Sequence, residues 1–388
     1  MYKEKQDLAF LRENANVAND AHTFPAVLDV AEYEEGLGAS NDDIKLLPSD
    51  IDSIVTSTRI RLARNIATYP FPAKLDKKQA EEIVRSVRYE LNHLQHFTMH
   101  DIGELGDDEV TLLQERHLIS PALIRNRSMS VAFIAENKEI SVMVNEEDHL
   151  REQFITRGLR LSEAYEGLGK IDDALDKALT FAYDEKFGYL TACPSNLGTG
   201  MRASVQMFLP GIAKYNYFEA LLPVLKANGM TVRGLYGEGS VATGYEYQIS
   251  NQKTLGVSEQ EILVETQEIV KRICEKELAF RRRMLAEDGL ALRDSCMRAY
   301  GLLTNCVLLT EKELETALVR IKLGIALGFF KTSDSAALND FISNMRPASF
   351  KLDNCEGEMT IVEQDMLRAD IAQKVLAELI EKQPFDKK

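Results

Sequence analysis

Alternation of apolar and polar positions predicts the strands of this chain. In the clearest run, residues 54–64, β-branched residues are interleaved with arginines. A period of two places Arg59 and Arg61 on one face of this strand and Ile60 and Leu62 on the other. The other predicted strands cover residues 140–144, 189–193, 230–235 and 245–250.

Apolar residues spaced three and four positions apart predict helices over residues 77–95, 160–183 and 218–228. In the first helix one stripe carries Ile83, Val87, Leu91 and Leu94. Ser258 followed by Glu261 is a capping box, which opens a long helix to about residue 285.

Beyond Asp288-Gly289 the pattern changes from mixed strand and helix to helix alone. This change predicts a mixed region at 51–284 and a C-terminal helical domain at 285–388. Residues 1–50 hold eleven acids and four bases, which is seven of the fifteen excess negative charges. We interpret them as an acidic N-terminal extension.

Composition narrows the class of protein. The net charge of −15 over 388 residues argues against a nucleic-acid binder, which needs cations to neutralise phosphates. No stretch reaches the roughly 20 apolar residues of a membrane span, and the N-terminus lacks the apolar segment of a secretion signal. The five cysteines fit neither a zinc pattern nor a disulfide framework. We therefore expect a cytoplasmic protein that binds neither nucleic acid nor membrane.

Arginines beside turns and strand ends are the first candidates for chemistry. They are Arg59, Arg61, Arg151, Arg202 and Arg233. Each alone is typical of a solvated or salt-bridged surface residue, but together they could converge on one cleft. One guanidinium group can bind two phosphate oxygens at once through two parallel N–H donors. The chain has no GxxxxGK[ST] loop to bind a triphosphate, so several such arginines would be needed.

Carboxylates and one cysteine are the second group of candidates. Glu146, Glu147 and Asp148 follow a predicted strand, and Glu238 lies in a glycine-rich loop. They could act as general bases or bind a cation, although consecutive acids cannot all point inward. Cys193, at the end of a predicted strand, would be either a small buried hydrophobe or a thiolate that accepts a hydrogen bond from Ser195.

Four of these segments, in this order, resemble the signatures of ATP:guanido phosphotransferases, the phosphagen kinases. They are residues 56–64 (TSTRIRLAR), 145–151 (NEEDHLR), 193–205 (CPSNLGTGMRASV) and 232–238 (VRGLYGE). Residues 117–121, 233–240, 247–252 and 298–306, together with the helical tail, are most similar to the bacterial protein-arginine kinase branch. The resemblance covers about residue 52 to the end.

The resemblance implies an α+β fold, with an antiparallel sheet flanked by helices, a small N-terminal helical part and the helical C-terminal domain. It assigns the ATP phosphates to Arg59, Arg61, Arg151, Arg202 and Arg233. It implies that Glu147 and Glu238 hold the substrate guanidinium, that Glu147 is the base, and that Cys193 lies by the reacting nitrogen. The implied cofactors are ATP and Mg²⁺, with Mg²⁺ entering on the nucleotide and no metal ligands in the protein.

In the tail, the resemblance implies an allosteric phosphoarginine site, which here corresponds to residues 364–369. Two arginines of the family's motif are replaced, so Asp365 and Arg368 would form a weaker anion site. Amphipathic helices after Glu287 also predict a homodimer. The implied partners are arginine-containing proteins, a Clp ATPase and an activator protein.

The sequence leaves three functions open. The leading hypothesis is phosphorylation of arginine side chains in proteins, which marks them for a Clp-type protease. The second is a phosphagen kinase that acts on free arginine or another small guanidino compound. The third is a non-catalytic adaptor that binds phosphoarginine or a Clp partner.

Overall fold

The computed structural model describes residues 46–234, 244–355, 357 and 359–384. Most of the expected acidic extension therefore lies outside the described residues, as does the segment 235–243, which contains Glu238. Within the described residues, no helix is both long enough and apolar enough to cross a membrane.

An eight-stranded sheet organises the first part of the chain, and all its neighbouring strands are antiparallel. Its strands are β1 (Val55–Arg64), β2 (Phe97–Asp101), β3 (Val131–Ala135), β4 (Ile140–Val144), β5 (Leu150–Arg157), β8 (Met201–Phe208), β9 (Met230–Gly234) and β10 (Glu246–Asn251). Between β5 and β8 the chain forms the short pair β6 (Tyr183–Asp184) and β7 (Gly188–Tyr189). The spatial order of the large sheet is β2-β3-β4-β5-β1-β8-β10-β9. The α+β class is confirmed.

Helices cover the sheet face that carries Ile60 and Leu62, because these apolar side chains must leave water. The helices of this region are α1 (Pro48–Ile54), α2 (Lys77–Leu94), α3 (Asp107–Glu115), α4 (Pro121–Arg125), α5 (Leu161–Leu179), α6 (Pro210–Lys214) and α7 (Phe218–Ala227). The predicted stripe of α2 is buried at three positions, but Leu94 in the last turn is 43% exposed.

The C-terminal part is helical, as expected. It comprises α8 (Glu259–Leu303), α9 (Glu311–Ala326), α10 (Ser335–Asn344), α11 (Pro347–Asn354) and α12 (Ile361–Leu379), with a short antiparallel pair, β11 (Phe330–Thr332) and β12 (Ile380–Lys382). α8 begins at the predicted Ser258 cap and kinks at Asp288, where φ is −129°. The division expected between residues 284 and 285 stays a prediction; it falls within α8, close to this kink.

Two sequence predictions between β5 and β8 are wrong. The helix expected over 160–183 ends at Leu179, because Thr180 adopts a positive φ of 55° and turns the chain back toward β1. The strand expected over 189–193 is confined to β7. Residues 190–193 are instead held by contacts to other segments, which the apolar pattern does not record.

The opposite face of the sheet is covered only at its margins. On β3 and β4, Ala132 and Met143 pack in a small core with α3 and α4. At the far end of β8, Phe208 packs into the C-terminal helical core. The part of this face between the two margins is the floor of the site described next.

Candidate functional site

Strand registry places all five predicted arginines on this second face. On β1, Arg59 and Arg61 share the face because they are two residues apart. Arg61 lies opposite Arg202 of β8, and Ala63, two residues further, lies opposite Arg151 of β5. Directly opposed residues in paired strands point to the same face.

Arg233 joins the same face through one more strand. It lies opposite Gln248 of β10, and Gln248 lies opposite Gln206 of β8, four residues after Arg202. Arg233 is exposed and stands one residue before the end of β9. We call the five residues Arg59, Arg61, Arg151, Arg202 and Arg233 the arginine face.

The charges of the arginine face are close enough to repel one another. Burial and the neighbouring Arg151 and Arg202 lower the pKa of Arg59 to about 10. Burial and then Arg59, Arg151 and Arg202 lower the pKa of Arg61 well below its ordinary value. Burial, followed by Arg233 and Arg151, also lowers the pKa of Arg202. A bound anion would relieve this repulsion.

Hydrogen bonding on the arginine face is incomplete. Arg59 Nη2 donates to Gln248 Oε1 at 2.9 Å, and Arg151 Nη1 donates to Glu146 Oε1 at 2.6 Å. The Nε atoms of Arg61 and Arg202, however, are buried and have no hydrogen-bond partner in the described part of the chain. Buried donors without partners are costly, so this face is suited to a ligand that supplies several acceptor oxygens.

Arg64, the third arginine of the 56–64 segment, points to the other face. It pairs with Asp172 of α5 through Nε at 2.7 Å and Nη2 at 3.1 Å, and it lies 3.6 Å from the ring centre of Tyr189. Its Nη1 also donates to Thr199 O at 2.9 Å, just before β8. Arg64 is therefore a fully buried structural residue.

The three consecutive acids after β4 have three different environments. Glu146 is buried, binds Arg151 and accepts a hydrogen bond from Ser120 Oγ. Asp148 is buried and bound to Asn65 and to the backbone of Ala192. Glu147 alone is exposed. Of the three, only Glu147 is free to meet a substrate.

Cys193 is half-buried, and its Sγ lies 3.0 Å from Ser195 Oγ, the contact that the sequence suggested. The strand end proposed for it is wrong, because Cys193 precedes a 3₁₀ turn, Pro194–Asn196. Thr254 Oγ1 holds this turn by donating to Leu197 O at 2.8 Å. The turn is thus fixed by the segment after β10.

The tail residues Asp365 and Arg368 bind each other. Arg368 Nη1 lies 2.5 Å from Asp365 Oδ1 and donates to Leu309 O at 2.8 Å, and its guanidinium lies 4.6 Å from the ring centre of Phe350. Arg368 is only 5% exposed. Its charge is already neutralised within the protein.

Sequence reasoning assigned no function to Asn65 or Ser120. Both are uncharged. Asn65 directly follows the 56–64 segment and Ser120 lies within residues 117–121, and their contacts are with residues far along the chain: Asn65 with Asp148, Ser120 with Glu146. Neither side chain has a spacing or a neighbour in sequence that could have shown these contacts.

Two family models match the chain. Residues 79–280 match the model described as ATP:guanido phosphotransferase, C-terminal catalytic domain. Residues 289–387 match the model described as protein-arginine kinase McsB C-terminal domain. The two matches cover the sheet from α2 onward, without β1, and the helical tail.

Curated relatives match over most of the chain. A protein-arginine kinase of Clostridium kluyveri is 42% identical over 330 residues, which cover 84% of this chain and 95% of the relative. That of Geobacillus stearothermophilus is 38% identical over 328 residues, covering 83% and 90%. That of Clostridium acetobutylicum is 40% identical over 315 residues, covering 80% and 91%.

Solved structures with a similar fold include a lombricine kinase, with a TM-score of 0.54 and 26% identity, which covers 60% of this chain and 68% of its own. A duplicated taurocyamine kinase from Schistosoma mansoni, with bound transition-state-analogue components, has a TM-score of 0.56 and 25% identity. That match covers 66% of this chain and 38% of the other.

Proposed function

Because the chain belongs to the ATP:guanido phosphotransferase family, and within it to the protein-arginine kinases, we propose that it transfers the γ-phosphoryl group of MgATP to arginine side chains of proteins. The observation that carries this proposal is the arginine face, on which no described carboxylate forms an ion pair with Arg59, Arg61 or Arg202. The identity to protein-arginine kinases over both parts of the chain favours a protein substrate over free arginine.

In this proposal, the arginine face holds the triphosphate. A transferred phosphoryl group carries charge on its three equatorial oxygens, and fixed guanidinium groups stabilise that charge without having to reorganise. Arg61 and Arg202 would use their Nε donors, which no described residue pairs with. Mg²⁺ would enter the site as part of the MgATP substrate.

Glu147 is the proposed base. A guanidinium is protonated at neutral pH, so one N–H proton must pass to a carboxylate before the nitrogen can attack. The nitrogen then forms the N–P bond while the bond from phosphorus to the β,γ-bridging oxygen breaks, releasing ADP. Glu147 is exposed and free for this contact, unlike Glu146 and Asp148.

Two further residues complete the proposed site. Glu238, outside the described residues, would hold the other side of the guanidinium, and Cys193 would lie by the reacting nitrogen. The Cys193–Ser195 contact supports a thiol held in a fixed position.

The biological setting is also part of the proposal. We propose that the protein works in the reducing cytoplasm, a setting that its five free cysteines support. Phosphoarginine would mark proteins for a Clp-type protease, with a Clp ATPase and an activator protein as partners. Exposed apolar side chains in the tail, Leu302, Val307, Leu308, Ile361, Val362 and Met366, support a homodimer formed there.

The test is incubation of the purified protein with MgATP and an arginine-rich protein, followed by mass spectrometry under non-acidic conditions. We expect acid-labile phosphate on arginine. A coupled ADP assay with free arginine is run alongside, and turnover there without protein phosphorylation would assign the small-molecule reaction instead. If the protein phosphorylates neither substrate but still binds phosphoarginine, the result would indicate a non-catalytic adaptor.

The role of Glu147 has its own test. Glu147→Gln keeps the shape of the side chain but cannot accept the proton. We expect phosphoryl transfer to fall below detection while nucleotide affinity stays within about threefold. Unchanged turnover would refute the assignment.

A further inference from the structure

Asn65 and Asp148 form a buried polar pair that the proposed chemistry does not use. They are 1% and 2% exposed, respectively. Asn65 follows β1 directly, whereas Asp148 lies in the turn between β4 and β5. Two polar groups buried this completely need a compensating set of hydrogen bonds.

Asp148 connects two segments through one oxygen. Its Oδ1 accepts a hydrogen bond from Asn65 Nδ2 at 2.6 Å and another from the backbone N–H of Ala192, also at 2.6 Å. Ala192 immediately precedes Cys193. The turn that carries Glu147 is therefore tied directly to the segment that carries the cysteine.

Asn65 ties the same two segments a second time. Its Nδ2 also donates to Leu190 O at 3.0 Å, and its Oδ1 accepts from the backbone N–H of His149 at 2.9 Å. In addition to Asp148, the Asn65 side chain thus bonds one residue in the turn that carries Glu147 and one in the segment before Cys193. Donor and acceptor are both used, so an isosteric change at residue 65 cannot preserve all contacts.

The turn between β4 and β5 is also held by hydrogen bonds at its two ends, Asn145 and His149. Asn145 has a φ of 59°, and its N–H donates to His149 O at 2.9 Å. His149 Nδ1 in turn accepts from the N–H of Ile66 at 3.0 Å. Glu147 therefore stands on a short, rigid loop whose attachment to the 190–193 segment passes through Asn65 and Asp148.

We propose that Asn65 and Asp148 are positioning residues that hold Glu147 and Cys193 at a fixed separation, so that one guanidinium meets the carboxylate and the thiol together. This inference rests on the proposed function. Neither residue touches the substrate; they act through the loops that carry the groups that do. A misplacement of about 1 Å in such a site can cost about 10²-fold in rate.

The test variant is Asn65→Asp. It is nearly isosteric, but it replaces the Nδ2 donor by a carboxylate oxygen, which would face the acceptors Asp148 Oδ1 and Leu190 O. We expect kcat to fall by about 10²-fold, with the KM for MgATP within about threefold, because the arginine face is untouched. Adding Asp148→Asn removes the repulsion between carboxylates and should recover at least about tenfold in kcat. Asn92→Asp, on an exposed residue of α2, is the matched control and should behave as wild type.

Amide hydrogen exchange provides a readout that does not depend on activity. In Asn65→Asp the amide of Ala192 should exchange faster, because the new carboxylate repels Asp148, whose Oδ1 accepts from that amide. The amide of His149 keeps its Oδ1 acceptor at residue 65 and should change less, while those of β8 keep their protection. Asp148→Asn alone keeps the Oδ1 acceptor and should give a smaller change in the same direction, which allows the test even if Asn65→Asp does not fold.

Three results would overturn the proposal: wild-type kcat in Asn65→Asp, reduced kcat with unchanged exchange at the Ala192 amide, or uniform loss of protection with no recovery in the double variant. If the wild-type protein phosphorylates no guanidino compound, the proposed function fails. The exchange measurement then still decides whether the two loops are coupled.

Discussion

Arginines on the sheet and in the tail differ in how their charge is neutralised. On the arginine face, Arg61 and Arg202 have no ion-pair partner in the described part of the chain and are surrounded by other cations. In the tail, Arg368 is paired with Asp365 and lies against Phe350. Arg368 Nε also lacks a hydrogen-bond partner among the described residues, so the two regions differ in whether the charge is neutralised.

The difference separates arginines kept for a ligand from arginines kept for the fold. Repulsion among the sheet arginines costs stability, which a bound polyanion would restore. The Asp365–Arg368 pair, by contrast, stabilises the packing of α12 against the 309 segment and α11. The same substitution should therefore have opposite effects in the two regions.

The largest expected effect is on catalysis by Arg202→Met. Removing one preorganised cation from the phosphate site should lower kcat/KM for MgATP by about 10²- to 10³-fold. Because a repelling charge is removed, the melting temperature should stay constant or rise. Steady-state kinetics and thermal melting check the two parts, and a strongly destabilised variant would contradict our account.

The matching change in the tail, Arg368→Met, should do the reverse. It leaves Asp365 without its partner, so the free energy of unfolding should fall by about 2–4 kcal/mol. Specific activity of the folded enzyme should stay within about threefold of wild type. Denaturant unfolding and activity at low temperature measure both, and equal stability of the two proteins would remove the basis of the comparison.

Binding of a polyanion should distinguish the arginine face from the tail without any phosphoryl transfer. Inorganic tripolyphosphate at about one hundred times its Kd should stabilise the wild-type protein by about 2.7 kcal/mol. Arg368→Met should keep this gain in a thermal-shift experiment, whereas Arg202→Met should lose most of it. If Arg368→Met alone lost the gain, the anion site would lie in the tail.

The smallest expected effect is on the pH dependence of stability, and it concerns His149, which the fold keeps uncharged. Burial lowers the pKa of His149 to about 4, and the hydrogen bond to Pro70 O opposes this only in part. The unfolded chain therefore binds a proton at His149 near pH 6.5, but the folded protein does so only near pH 4.

Stability should accordingly decrease as the pH falls from about 6.5 toward 4. His149→Asn, which can still accept from the N–H of Ile66, should lose part of this pH dependence. Urea unfolding of both proteins at several pH values gives the difference, in which the contributions of other histidines cancel. Parallel curves would show that His149 does not titrate in this range.

Local pattern was sufficient where one strand or helix decides the outcome. Alternation alone placed Arg59 and Arg61 opposite Ile60 and Leu62, and the structure has this arrangement. The Ser258 cap was also correct. Apolar spacing failed over 190–193, because Leu190 O and the N–H of Ala192 form hydrogen bonds with the side chains of Asn65 and Asp148.

The sequence by itself determined the sheet-and-helix class, the family motifs and the face of β1 on which Arg59 and Arg61 lie. These features follow from backbone periodicity and short-range spacing. Only the tertiary structure decided which of three consecutive acids stays exposed, that Arg368 is neutralised by Asp365, and that Asn65 joins two loops. Each of these outcomes depends on a partner that approaches from elsewhere in the fold. Burial, charge neutralisation and hydrogen bonding across such distances are set by how the strands pair and the helices pack.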